Sequence, residues 1–432
     1  MIRTTVVVGG GLAGLSAAVA LARRGVRVTV LESRGRLGGR AGSFVDPQTG
    51  QVVDACQHVS MGCCTAYAAL CETVGVRHLL APQPVLYFVT PDRRVSRFAA
   101  DPWPAPFHLG RALLGAHYLT AGEKLRVVYG LVRLLMLPAD ADEPLDDFLR
   151  RHRQTDRTIS RFWGVVLTSA LNEWVDRLGT KYARKVFLDG FVKDRTGHVV
   201  EVPAVPLDRL YGAELQTWLT RHGVTVRPNA GVKRLDVADG RVTRATLRDG
   251  STESADAYVL AVPFGRVADL LPPEVAATEP FSLAAELAPS PITSVHLWFD
   301  RPTLRLPHAV LVDGLGQWVF RRGNYLQVVV SASADLAALG RDEVQRRIVG
   351  ELGRLFPPVA AATLLRAKVV TEHAATFRAV PGVDQFRPPQ RTPIPNLALA
   401  GDWTATGWPA TMEGAVRSGT LAADALVPEP SR

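Results

Sequence analysis

Near the start of the chain, Gly9-Gly10-Gly11-Leu12-Ala13-Gly14 puts glycines where a backbone must turn tightly and come close to another group. The apolar run Thr5-Val6-Val7-Val8 leads into them, and Val26-Arg27-Val28-Thr29-Val30-Leu31 ends on Glu32. This spacing suits a nucleotide site. Gly9 makes the turn after a parallel strand, Gly11 lets the backbone approach a pyrophosphate, and Gly14 lets the next helix pack on the strand. The amides of Leu12 and Ala13 open that helix, where free N–H groups and the positive dipole end attract phosphate. Glu32 can accept hydrogen bonds from ribose hydroxyls and would repel a 2′-phosphate, which argues against NADP. In Arg36-Leu37-Gly38-Gly39-Arg40, Gly38 and Gly39 allow a second close approach, and Arg40 offers a planar, bidentate donor to phosphate.

The far end completes the set. Leu397-Ala398-Leu399-Ala400 closes on Gly401-Asp402, and Asp402 can accept from a ribityl or phosphate-proximal hydroxyl. Pro409 marks a helix start, so the amides near Thr411 and Met412 are free donors. Aimed at a flavin C2 carbonyl, they would favour negative charge there, and hence the reduced anionic flavin. Gly414, Ala415 and Gly419 are small enough for that helix to lie against a cofactor. Val232, opening the short strand Val232-Lys233-Arg234-Leu235, is counted with the cofactor contacts. A site that needs both ends of a 432-residue chain holds a long ligand, which points to FAD.

The elements that must position these residues come in separated pieces. The FAD-binding domain is expected from residues 1–80, 205–285 and 396–432, and the substrate domain from 81–204 and 286–395. Turns at Asp239-Gly240 and Asp249-Gly250 mark a small antiparallel meander beside the main sheet. Leu109 to Leu178 reads as mainly helical, and Pro291 to Phe377 as alternating strands followed by a helix from Arg341 to Phe356. Val380 to Pro395 is Pro-rich and reads as an irregular connection. The fold class is therefore α/β: a Rossmann-type FAD-binding domain with an inserted mixed α+β substrate domain.

Thr120 and Glu123 form a capping-box pattern, and Leu125, Val128, Val132, Leu135 and Met136 fall on one apolar face. Lys124, Arg126 and Arg133 make that helix basic, a composition that suits either contact with a membrane surface or packing on the core. Trp103, Phe107 and Leu113 precede it.

Composition sets outer bounds. Hydrophobic residues are 47% and charged residues 21% of the chain, ordinary for a globular enzyme. No apolar run approaches the roughly 18 residues of a membrane span. With no export signal, the chain is expected in the cytosol or on the cytosolic face of a membrane. The net charge of +9 is compatible with an anionic lipid surface, but no nucleic-acid-binding pattern accompanies it. Cys56, Cys63, Cys64 and Cys71 have no partners in a zinc spacing and read as free thiols.

The Gly-Gly-Arg at Gly38 to Arg40 resembles that of the flavin amine oxidase and carotenoid desaturase superfamily, whose members carry it soon after the ribose-binding acid. The C-terminal block Gly401-Asp402-Trp403-Thr404-Ala405-Thr406-Gly407-Trp408-Pro409-Ala410-Thr411-Met412-Glu413-Gly414-Ala415-Val416-Arg417-Ser418-Gly419 closely resembles the squalene-associated FAD enzymes, the hydroxysqualene dehydroxylases of hopanoid synthesis. Ala375-Thr376-Phe377, Arg391-Thr392-Pro393, Phe162-Trp163 and Asp54-Ala55-Cys56-Gln57-His58 match as well, with Ala55-Cys56 where that family commonly has Asn-Gly. The resemblance implies an amine oxidase-like fold and reduction of hydroxysqualene, a long polyprenoid, to squalene with loss of water.

Such a step needs an acid beside the carbinol and a dry pocket whose aromatic faces stabilise an allylic cation. Asp54 and His58 are the candidate catalytic residues. Trp403 and Trp408 are candidates to line the pocket or to fill the core. No second dinucleotide loop is present, so the electron donor is expected from outside the chain. The competing expectations are a carotenoid-type desaturase, an amine oxidase, and a prenyl-binding protein without turnover.

Overall fold

The computed structural model describes residues 2–428, position 324 excepted. Five parallel strands form its first sheet, in the order Thr225–Arg227, Arg27–Leu31, Thr4–Val8, Ala257–Leu260, Leu397–Leu399. Apart from the neighbours Thr4–Val8 and Arg27–Leu31, adjacent strands of this sheet come from distant parts of the sequence, and its last strand is added only when the chain returns to it near its end. Val6, Val7, Val8, Val30, Leu31, Val259, Leu260, Leu397 and Leu399 are buried, as expected for a parallel sheet covered on both faces. The expected meander is a three-stranded antiparallel sheet, Val232–Ala238, Arg241–Leu247 and Thr252–Glu253. Its first turn places Asp239 and Gly240 at φ 50° and 69°, the paired positive values of a tight hairpin.

The two ends of the chain meet through their helices. Leu12–Arg23 packs along Met412–Leu426, and the Ser16 hydroxyl donates to the Val416 carbonyl at 2.8 Å. Gly419 is what permits this approach, because a Cβ there would run into the Ala13 carbonyl.

A second, seven-stranded sheet runs in the order Leu364–Phe377, Pro289–Phe299, Tyr325–Val330, Trp318–Arg322, His308–Leu311, Val85–Val89, Val95–Ala99. It is antiparallel except where His308–Leu311 lies parallel to Val85–Val89, the seam joining residues before 204 to residues after 286. Its two faces differ. One carries Val295, Leu297, Phe299, Val319, Leu326 and Val328, which bury against Val344, Ile348 and Leu352 of the helix Arg341–Leu355. The other carries Ser294, His296, Trp298, Phe320, Trp318, Tyr325 and Gln327, consistent with the period-2 alternation of a strand.

Helices cover that second face. Ala121–Leu135 begins with the expected capping box, both hydrogen bonds between Thr120 and Glu123 being formed. Ile159–Gly164 and Leu188–Val192 wind with π-helical geometry, which places Phe162, Trp163 and Phe191 among the aromatic residues of the interior. Such π segments often mark functional sites. The four cysteines are free.

Candidate active site

The N-terminal glycines are dictated by contact. A Cβ at Gly9, which sits at φ +112°, would collide with the Ala261 carbonyl, and one at Gly14 with the Gly9 carbonyl. Gly11 is different: a Cβ there would find only Gly39 Cα, at 3.9 Å. The turn is thus packed shut on the protein side and open beside Gly11, the shape a pyrophosphate requires. Leu12 and Ala13 begin the helix behind it. Gly38 and Gly39 lie against the same turn, the Gly38 amide donating to the Gly10 carbonyl at 2.9 Å.

Glu32 is buried, and its carboxylate accepts from the Gly10 amide at 2.7 Å and from the Arg34 amide at 2.7 Å. Its backbone carbonyl accepts from Ala230 at 2.8 Å, which brings Val232 to the same end of the cradle.

At the other end, Arg40 donates to the Ala375 carbonyl at 2.7 Å and pairs with Asp402. Burial works against the Arg40 charge, but Asp402 outweighs it and keeps the guanidinium protonated. This one contact joins residues 362 apart in sequence. The Gly401 amide donates to Ser418 Oγ at 2.8 Å, fixing the Gly-Asp turn to the C-terminal helix. That helix starts at Met412, with Thr411 as its N-cap accepting from the Gly414 amide at 3.1 Å. Ala415, one turn in, is buried against the first sheet's helices. The amides of Met412 and Glu413 are left for a ligand. The residues fit FAD: an open glycine turn for phosphate, an acid for ribose, and a helix N-terminus for the flavin ring.

Asp54 and His58 occupy a segment wedged between this cradle and the second sheet. Asp54 is buried, its Oδ1 accepting from Ser43 Oγ at 2.7 Å and from the Leu207 amide at 2.8 Å. Arg322 Nη2 stands 4.0 Å from its other oxygen, while Arg322 Nε donates to Gln57 at 2.9 Å. Asp54 therefore ties three parts of the chain together. His58 is half-buried, and its Nδ1 lies 3.1 Å from the Cys56 carbonyl, leaving Nε2 for another partner. Burial pushes the His58 imidazole below the usual histidine range, with Cys56 and Asp54 acting in the opposite sense and Arg40 in the same sense. His58 thus lies within electrostatic reach of both Asp54 and Arg40.

Trp403 belongs to the core: it is fully buried and its indole N–H donates to the Val262 carbonyl at 2.9 Å. Trp408 is half-buried, with Lys185 4.3 Å and Arg417 5.0 Å from its ring centroid. The second sheet meets the Asp54–His58 segment through His296, whose Nε2 lies 3.4 Å from the Ala55 carbonyl and whose ring stacks on Trp298, and the sheet carries two aromatic pairs. Trp318 and Phe320 stack with centroids 5.4 Å apart, and Trp298 and Tyr325 with centroids 5.2 Å apart. Val59 and Met61, immediately after His58, pack against a cluster containing Leu86, Phe88, Tyr118, Val127 and Val310, which Trp318 and Phe162 also touch. The alternation of His296 and Trp298 with Val295, Leu297 and Phe299 was the available sequence signal for this face.

Arg387 had no such signal. It lies in the Pro-rich connection, is buried, and donates to the Asp402 carbonyl at 3.0 Å, the Thr404 carbonyl at 2.5 Å and Thr406 Oγ1 at 3.2 Å. It also reaches Tyr182 and Asp384 and lies over the Phe377 ring at 4.9 Å. The connection read as irregular thus braces the Gly401-Asp402 loop. Glu413 is a second unforeseen group: fully buried, it accepts from the Ala66 and Tyr67 amides at 3.0 and 2.7 Å and from Arg417 at 2.7 Å.

Residues 12–427 match the family model for flavin containing amine oxidoreductases. The chain is 30% identical to a hydroxysqualene dehydroxylase of Sinorhizobium fredii, over 98% of each protein. It is 28% identical to a 15-cis-phytoene desaturase of an Oncidium hybrid cultivar, over 98% of this chain and 77% of that one. Among solved structures it resembles a redesigned putrescine oxidase, with a TM-score of 0.74 and 16% identity over 98% of this chain and 99% of that one. It also resembles the cyclohexylamine oxidase of Brevibacterium oxydans, with a TM-score of 0.70 and 17% identity over 99% of each chain. The fold is amine oxidase-like, and the chain, an FAD-dependent oxidoreductase, belongs to the flavin-containing amine oxidoreductase family.

Proposed function

We propose that this oxidoreductase reduces hydroxysqualene to squalene, releasing the hydroxyl as water, at the contact between the FAD cradle and the aromatic face of the seven-stranded sheet. In this proposal residues 1–80, 205–285 and 396–432 hold FAD, while 81–204 and 286–395 hold the polyprenoid. The observation that carries it is the position of His58, with Nε2 left without a bond among the described residues, directly ahead of Val59 and Met61, which pack into an apolar and aromatic cluster; the other imidazoles by these aromatic residues, His296, His308 and His198, are buried. The match to hydroxysqualene dehydroxylases along the full length of both proteins supports it.

Bound FAD supplies hydride chemistry, held by Gly9, Gly11, Leu12, Ala13, Gly14, Glu32, Gly38, Gly39, Arg40, Val232, Gly401, Asp402, Thr411, Met412 and Ala415. The chain's own residues do the rest. His58 Nε2 gives the departing hydroxyl its proton, and Asp54 stabilises the imidazolium from which that proton comes. Trp318, Phe320 and Phe88 exclude water and turn their electron-rich faces toward the positive charge that the leaving hydroxyl creates on carbon. Electrons reach the cofactor from a donor outside the chain, and the water-insoluble substrate arrives from a membrane surface.

The test is anaerobic, single-turnover incubation of the photoreduced enzyme with hydroxysqualene, followed by product analysis. Squalene and flavin reoxidation in equal amounts are expected; neither appearing would sink the assignment. The similarity to phytoene desaturases favours one second reading, a carotenoid-type desaturation in the oxidising direction. Desaturated phytoene formed by the oxidised enzyme would establish it.

A further inference from the structure

Large apolar side chains are conspicuously exposed in one stretch of the chain. Trp103 is 63% exposed, Phe107 72%, Leu114 69%, Leu125 73% and Met136 70%, with Val128, Tyr129 and Val132 also exposed. All lie within residues 103–136, whereas exposed large apolar residues elsewhere are scattered. Monomeric proteins rarely leave such residues in a contiguous patch unless something covers it.

The helix Ala121–Leu135 explains how the patch is built. At about 100° per residue, Leu125, Val128, Tyr129, Val132 and Met136 form one stripe. Val127, Gly130, Leu131 and Leu134 form a second stripe on the opposite side. The second is the one that faces the protein: Val127 and Leu134 are fully buried, and a Cβ at Gly130 would press on Trp163 and Gln154. The apolar face read from the sequence is therefore the outward one, and the helix is apolar on both sides. Its cations sit on the borders of the outer stripe, Arg126 and Arg133 on one edge and Lys124 on the other. Residues 102–137 carry four cations, Arg111, Lys124, Arg126 and Arg133, against one acid, Glu123. Glu123 is already engaged by Arg157 and the Thr120 amide.

An apolar stripe bordered by cations, with Trp103, Phe107 and Leu114 exposed in the segment leading into it and the Leu114 carbonyl bonded to Lys124, is the arrangement of a helix lying in a lipid interface. A protein partner would need a matching acidic rim around an apolar ridge; a bilayer of anionic phospholipid supplies both at any orientation about its normal. We propose that residues 103–136 dock this enzyme on an anionic bilayer, with the outer stripe of Ala121–Leu135 immersed at the headgroup boundary. The inner stripe continues the contact. Val127 and Leu131 belong to the cluster that Val59, Met61 and Phe162 also touch, so apolar packing runs unbroken from the docked surface to the residue after His58. The helix is the wall between lipid and site. This extends the proposed function, since it rests on a substrate that resides in lipid.

The holoenzyme is floated with vesicles of phosphatidylcholine alone and of phosphatidylcholine containing about one-third phosphatidylglycerol. Wild type is expected to rise with the anionic vesicles and far less with the neutral ones. L125E/M136E should lower the bound fraction roughly tenfold or more, and W103A/F107A should lower it by a similar order. R126E/R133E should abolish the preference for phosphatidylglycerol. Each variant should keep the wild-type melting temperature, flavin absorbance and conversion of detergent-dispersed hydroxysqualene. Docking is overturned if wild type rises with neither vesicle. It is equally overturned if L125E/M136E converts a wild-type oligomer to monomer by light scattering without changing flotation, because the patch then covers a second copy. Flotation without conversion of hydroxysqualene in detergent would instead leave docking intact and remove the substrate assignment.

Discussion

The FAD cradle and the aromatic face of the second sheet are built on opposite plans. The cradle is made of backbone: Gly9, Gly14, Gly38 and Gly419 are positions where any Cβ meets a carbonyl. What this cradle offers a ligand, in the proposed assignment, is chiefly backbone amides, with few charged side chains. The sheet face is made of side chains: Trp318 on Phe320, Trp298 on Tyr325, Phe88 near Phe98 at 5.9 Å. A backbone cradle suits a constant ligand with fixed phosphates, and its fit is nearly all-or-none. A side-chain face suits a flexible hydrocarbon, and its fit is graded. Mutations on the two sides should therefore fail differently.

The sharpest break is expected in the cradle. Gly14→Val drives a branched side chain into the Gly9 carbonyl and against Val7, so about 3 kcal/mol or more of stability should go with it. The checks are a thermal melt and the ratio of flavin to protein absorbance; a near-wild-type ratio would mean the turn can open. His58→Gln acts between the two regions. It should lower turnover by about 10²-fold or more while flavin content and melting temperature hold. The pH profile adds a signature. Burial lowers the His58 proton affinity, so the protonated donor becomes more abundant as pH falls through and below the usual histidine range. kcat/KM should rise on that acid side in wild type, and the limb should be missing in His58→Gln.

The same contrast explains what could be read from the sequence. Gly9, Gly11, Gly14, Glu32 and Gly401-Asp402 stood out because each falls in a short motif at the end of an apolar strand, although the carbonyl that excludes a side chain at Gly9, that of Ala261, is remote in sequence. The pairing of Arg40 with Asp402 was not, since nothing local links two residues brought together only by the closing of the parallel sheet. Arg387 was invisible for another reason: an irregular, Pro-rich segment has no periodicity to show which side chain turns inward. The Ala121–Leu135 helix was half legible. Its capping box and apolar period were plain, but two opposed apolar stripes share one period, and only packing decides which is buried. The strand Pro289–Phe299 showed its period of two in the sequence, but with both faces buried that period did not say which face meets the site.

Arg387 gives a test at the boundary of the cradle. Arg387→Lys keeps a buried cation but loses the planar fork whose Nη2 donates to the Asp402 and Thr404 carbonyls and Thr406 while Nη1 donates to Tyr182 and Asp384. FAD should bind about tenfold more weakly on reconstitution, roughly one charged hydrogen bond lost. If the loop is held chiefly by Gln390, which donates to Thr404 Oγ1 at 2.9 Å, affinity will not move.

The smallest effect belongs to the sheet face, and two tryptophans separate it from the core. Trp403 is fully buried with its indole bonded to Val262, so Trp403→Leu leaves a cavity and an unpaired carbonyl and should cost stability first. Trp318 is only partly buried and stacks on Phe320, so Trp318→Leu should barely change the melting temperature. In the proposed reaction it removes an electron-rich face beside the developing cation, about 0.5–2 kcal/mol, or roughly a 2- to 30-fold loss in kcat. KM should change less than kcat, because a cation that exists only near the transition state is not felt on binding. A Trp318→Leu variant that lost affinity and kept kcat would show the face to be a binding floor for hydrocarbon, with charge stabilised elsewhere.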